Sequence, residues 1–70
     1  MKTLTVNGVE RQFAGEGMPG TLADLLDELG VAAATVVAEI DGAIVRSEAF
    51  TATKLEDGQK IELVKLMGGG

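Results

Sequence analysis

Apolar and polar residues alternate from the start of the chain. Leu4 and Val6 fall on one side of residues 2–6, and Thr3 and Thr5 fall on the other, which is the period of a half-buried strand. Asn7-Gly8 follows, a pair that tolerates the positive φ angles of a type I′ turn. Val9, Arg11 and Phe13 then alternate with Glu10 and Gln12, which predicts the return strand of a hairpin. Arg11 shares a side with two apolar residues, so it has to reach the sheet edge or snorkel.

After a glycine-rich connection over 14–20, the period changes. Leu22, Leu25, Leu26 and Leu29 lie at i, i+3, i+4 and i+7, the apolar stripe of an amphipathic helix of about two turns. Thr21 is placed to cap its N-terminus, Asp24 to complement the helix dipole, and Gly30 to end it. The β-branched run 35–40 predicts a buried strand. Asp41-Gly42 predicts a second hairpin turn, and 43–45 a short return strand. Residues 46–55 read as irregular or as a single helical turn. Asp57-Gly58 is another turn signal, and 61–66 is the last strand, with Met67 leading into Gly68-Gly69-Gly70.

The order is therefore strand, strand, helix, strand, short strand, strand. One short helix covers one face of a small mixed sheet and no more. The first and last strands are expected to lie side by side and parallel, with a right-handed crossover between them. This is the α+β architecture of a β-grasp. It predicts one domain over 1–67, followed by a flexible glycine tail over 68–70.

Composition removes most other functions. A chain of 70 residues allows one small core. There is no cysteine and no histidine, which excludes disulfides, zinc thiolates, cysteine nucleophiles and the commonest general base. Phe13 and Phe50 are the only aromatics, too few for a base-stacking surface. The net charge of −5 repels phosphate backbones and anionic lipid and favours a partner with a basic docking surface. No stretch approaches the roughly 20 apolar residues of a membrane helix, and residues 1–6 lack a signal-peptide core. The expectation is a cytoplasmic protein that engages neither nucleic acid nor membrane.

No catalytic constellation stands out. Asp24, Asp27 and Glu28 read as a solvated helix face rather than a metal or acid pair. Glu16-Gly17-Met18-Pro19-Gly20 lacks the spacing of a phosphate-binding loop. The remaining chemical feature is the glycine run. Three glycines after a strand carry no side chains to pack, and extended they reach roughly 10 Å. Such a tail can thread a narrow channel, with the Gly70 carboxylate as reactant and Gly68 and Gly69 as the threading segment. In the last strand, alternation directs Ile61 and Leu63 to the core and Glu62, Val64 and Leu66 to the open face. Val64, Leu66 and the adjacent Met67 are the candidate docking residues. The chain is therefore expected to be a carrier or co-substrate, not an enzyme, with no bound metal or cofactor.

Ala38-Glu39-Ile40-Asp41-Gly42-Ala43-Ile44-Val45-Arg46, the run Leu55-Glu56-Asp57-Gly58-Gln59-Lys60-Ile61-Glu62-Leu63-Val64 and Gly68-Gly69-Gly70 resemble the thiamine-biosynthesis sulfur carrier family (ThiS), a ubiquitin-like β-grasp family. The early strand, the Asn-Gly turn and the Thr-Leu-Ala-Asp-Leu-Leu helix add to the resemblance. It implies an E1-like adenylating enzyme that uses ATP and magnesium on the Gly70 carboxylate. A cysteine desulfurase persulfide would then supply sulfur to form a thiocarboxylate, and thiazole synthase would accept that sulfur. The sequence departs from the family pattern at Phe50, where Trp is frequent, at Asp41-Gly42 in place of Asn-Gly, and at Lys65-Leu66-Met67, which lacks an aromatic before the glycines. The alternatives are a protein resembling the molybdopterin synthase small subunit, a carrier for tRNA thiolation or cysteine synthesis, and a ubiquitin-like modifier or interaction module.

Overall fold

A computed structural model describes residues 1–66 of the chain. The elements follow the hydrophobic pattern closely: β1 (Lys2–Val6), β2 (Val9–Phe13), α1 (Leu22–Leu29), β3 (Val36–Ile40), β4 (Ala43–Val45) and β5 (Lys60–Lys65). The five strands form one sheet in the order β2-β1-β5-β3-β4. β1 and β5 are parallel, with Val6 opposite Ile61, and the other neighbours are antiparallel. This is the predicted ubiquitin-like β-grasp. The glycine tail, and the boundary placed between 67 and 68, lie outside the described residues.

Helix α1 forms where capping and periodicity agree. The Thr21 hydroxyl accepts the Asp24 amide at 3.2 Å. Gly30 sits at φ 72°, a left-handed conformation that ends the helix without a Cβ clash. Leu22, Leu25 and Leu26 are buried and meet Leu4, Val6, Val36, Ala38, Ile40 and Ile61 from the sheet. Phe50 and Leu55, from the connection between β4 and β5, close the core. That connection holds a 3-10 turn at Ser47–Ala49, the second of the two forms expected there, within an otherwise irregular segment.

Some boundaries and burials differ from the sequence pattern. Thr35 belongs to a 3-10 turn, Ala33–Thr35, and not to β3, because its hydroxyl turns back to the Ala32 carbonyl at 2.6 Å. β5 runs from Lys60 to Lys65 and not from 61 to 66, because its first amide is held by Asp41. The glycine-rich connection is pinned at its end: Pro19 is buried and Met18 packs on the core.

Each Asx-Gly turn also does more than reverse the chain. The Asn7 side chain accepts the Leu63 amide at 2.7 Å, Asp41 accepts the Lys60 amide at 2.9 Å, and Asp57 accepts the Thr3 amide at 2.8 Å. All three carry ladder positions past the reach of the backbone. Asn7 matters most for β5, because the parallel β1–β5 register covers only Thr5↔Lys60 and Val6↔Ile61. The Asn7 amide donates to the Ile61 carbonyl at 2.9 Å, and its side chain then takes the next donor along. Asn7 also holds φ 50°, where a short polar side chain is tolerated. Asn7→Ala is expected to cost about 1–3 kcal/mol, from the lost acceptor and the left-handed backbone together. Asn7→Asp, which keeps the oxygen, is expected to stay within about 0.5 kcal/mol of the parent. Urea midpoints followed by circular dichroism measure both.

Candidate functional site: the open sheet face and the end of β5

Because α1 covers only one side of the sheet, every second residue of β3, β4 and β5 faces outward. Register places Val37 opposite Val64, Glu39 opposite Glu62, and Ile44 opposite Glu39. Ile61 is fully buried and Leu63 packs against the core, as the alternation predicts. Val64 is 61% exposed and Leu66 54%, both large for aliphatic side chains on a strand and its exit. Ile44 is 67% exposed and adds a third. Sequence reasoning missed Ile44 as part of this surface. The signal was present: the two-residue turn at Asp41-Gly42 fixes Ile40 opposite Ala43, which puts Ile44 beside Glu39.

The apolar side chains border acidic ones. Glu39, Asp41, Gly42, Lys60, Glu62 and Val64 line a shallow concavity of about 480 Å³. Glu39 and Glu62 stand directly opposite across β3 and β5, where like charges repel. A cationic side chain set between them would relieve that repulsion. The face therefore carries an aliphatic border and an anionic centre.

The last described contact holds the strand exit in place. The Leu66 amide donates to the Thr35 carbonyl at 2.8 Å, which holds the end of β5 beside the start of β3. Of the sequence-predicted site residues, Val64 and Leu66 are brought together on the open face. Met67, Gly68, Gly69 and Gly70 lie outside the described residues.

The other candidates resolve as surface. Asp24, Asp27 and Glu28 are exposed, and no group of three or more potential metal ligands occurs among the described residues. Among the described residues, no helix is long and apolar enough to cross a membrane.

Comparison with known proteins agrees with this geometry. The crystal structure of the thiamine biosynthesis protein ThiS from Geobacter metallireducens superposes with a TM-score of 0.78 at 38% identity, covering 97% of this chain and 99% of that one. A solution structure of a thiamine biosynthesis protein from Geobacter metallireducens gives a TM-score of 0.73 at 39% identity, covering 97% and 87%. A thiazole synthase from Paramagnetospirillum magneticum is 37% identical over 67 residues, which are 96% of this chain. The chain spans only 20% of the length of that curated relative. The family model described as the ThiS family matches residues 4–70, so the chain belongs to the ThiS family.

Proposed function

We propose that this chain is a sulfur carrier for formation of the thiazole of thiamine, with the Gly70 carboxylate as the reacting group. The observation that carries the reading is membership of the ThiS family over residues 4–70. The relative named a thiazole synthase adds to it, because one polypeptide there contains a stretch similar to this chain. Joining two proteins in one chain raises their effective concentration, which favours components that meet in the same reaction.

The chemistry is activation followed by exchange. A carboxylate resists attack, since its charge repels nucleophiles and it lacks a good leaving group. An E1-like partner holding ATP and magnesium lets the Gly70 oxygen attack the α-phosphorus, releasing pyrophosphate and forming an acyl adenylate. The terminal sulfur of a cysteine desulfurase persulfide then displaces AMP. A thiol cleaves the resulting acyl disulfide and frees the thiocarboxylate, which thiazole synthase accepts as sulfur donor. Gly68 and Gly69 contribute slenderness, and Gly70 leaves the carbonyl unobstructed. The carrier itself binds no cofactor. Its role is to present the reacting carbon, and docking supplies the orientation.

Docking falls to the open face beside the tail, through Val64, Leu66 and Met67, with Ile44 extending the apolar border. The complementary partner surface is apolar with a basic centre. Val64→Asp is expected to fold like the parent, because this side chain is 61% exposed. It is expected to lower kcat/KM for adenylation by roughly tenfold or more, a loss of about 1.4 kcal/mol of recognition. Unfolding of the variant would instead make Val64 a core residue.

Intact mass spectrometry tests the central claim after incubation with an E1-like enzyme, ATP, magnesium and a persulfide source. The expected product has one oxygen replaced by sulfur, mapped to the peptide that ends in Gly70. An unchanged mass, with the enzyme active on its own carrier, would point to an interaction module instead.

A further inference from the structure

A second concavity lies on the opposite side of the sheet from the open face, under the C-terminal end of α1, with a volume of about 350 Å³. Its apolar lining comes from Val6, Leu29, Val31, Val36 and Leu63. Val9 extends that lining to the edge of the sheet and is 57% exposed. Two of the chain's six cationic side chains, Arg11 and Lys65, stand on its border. None of the eleven carboxylates lines it, although the chain carries a net charge of −5. This is the reverse of the open-face concavity, where Glu39, Asp41 and Glu62 surround one lysine.

The groove also adjoins a free strand edge. Among the described residues, β2 is terminal in the sheet and pairs only with β1. Val6 and Val9 close the two-residue turn, so Val9, Arg11 and Phe13 direct their backbone groups to β1. The N–H and C=O groups of Glu10 and Gln12 therefore point outward, a ready template for an added strand. A strand added there places every second side chain on the groove side, next to Val9 and Arg11.

We propose that this edge and groove bind an extended segment of a partner protein as an additional strand, with aliphatic residues facing the groove and an acidic residue on the same side meeting Arg11. Backbone hydrogen bonds to Glu10 and Gln12 supply affinity, and the groove and Arg11 supply selectivity. The acidic group is specified by charge, because the lining pairs apolar surface with positive charge alone. The site is independent of the carrier reading. Because the groove lies on the other side of the sheet, it leaves the open face available to a second protein at the same time.

The test uses the full 70-residue chain, labelled with ¹⁵N, and a capped synthetic peptide of sequence Val-Thr-Val-Ser-Glu-Ser. Saturable shifts are expected at the Val9–Phe13 amides and at Leu63, with the amides of Glu10 and Gln12 gaining protection from exchange. The Ile44 and Val64 amides are expected to stay in place. Arg11→Glu is expected to weaken binding roughly tenfold. Val9→Thr should also weaken it, and both variants replace exposed side chains. A peptide with Lys in place of Glu, or with the edge-facing amides methylated, is expected to bind weakly or not at all. Absence of saturable shifts in folded protein overturns the proposal, as do shifts confined to the open face. Equal binding of the methylated peptide or of octanoate also overturns it, since the groove would then take an amphiphilic anion without strand addition.

Discussion

A chain shortened to end at Gly68 is expected to unfold at the parent's urea concentration and to take up no sulfur. None of the described contacts extends past the Leu66 amide, which donates to Thr35, so the sheet keeps all of them. The shortened chain still ends in a glycine carboxylate, so under the carrier reading the reacting group is chemically the same. Only its position changes, by roughly 7 Å for two extended residues. A misplacement of about 1 Å at a reacting centre is enough to cost about a hundredfold in rate, so a displacement of this size removes the reaction from detection. Intact mass spectrometry of both chains side by side reads the outcome. Sulfur on Gly68 would mean that reach is not what the activating site selects. Full cellular function of the shortened chain would remove tail chemistry altogether and leave a binding module.

Phe50→Ala is expected to cost about 3–5 kcal/mol, as buried aromatic truncations do. Phe50 is 1% exposed and is among the largest fully buried side chains. It also ties the irregular connection to the helix, because its carbonyl accepts the Ala23 amide at 3.1 Å. A domain of 70 residues has a total stability of about 3.5–10 kcal/mol, so this single change removes a large part or all of it. Phe50→Leu keeps most of the volume and is expected to cost about 1.5 kcal/mol. The absence of Trp and Tyr makes far-ultraviolet circular dichroism the suitable probe for the denaturation curves. A small effect of Phe50→Ala would show that the β4–β5 connection collapses into the space left behind.

The strands, the helix and its caps were legible in the sequence because each rests on local chemistry. Leu22 to Leu29 and Thr21 specify α1 without reference to the rest of the chain. The parallel neighbourhood of β1 and β5 also followed, from connection rules. What escaped was non-local. Asn7, Asp41 and Asp57 were readable as turn residues, but that their side chains hold amides at Leu63, Lys60 and Thr3 depends on strands far away in sequence. Val9, Arg11 and Phe13 alternate like a buried face, yet only Phe13 is half-buried. At the candidate site, Val64 and Leu66 followed from the period of β5. Ile44 required the register of a neighbouring hairpin, and the opposition of Glu39 to Glu62 required the β3–β5 pairing.

The strand that is last in sequence is also the middle of the sheet. During synthesis from the N-terminus, the hairpins β1–β2 and β3–β4 can close as they emerge, since each depends on a short local turn. They cannot join until β5 arrives, because it alone pairs with both β1 and β3. Folding therefore waits on long-range contacts that form late. Residues 60–65 complete the sheet and precede the glycines by two residues in sequence, so under the carrier reading a chain with no completed sheet has no docking face to present. Under that reading, quality control of the carrier is built into chain order: an activating partner that required the β5 surface would inspect the finished fold at the moment it engaged the end.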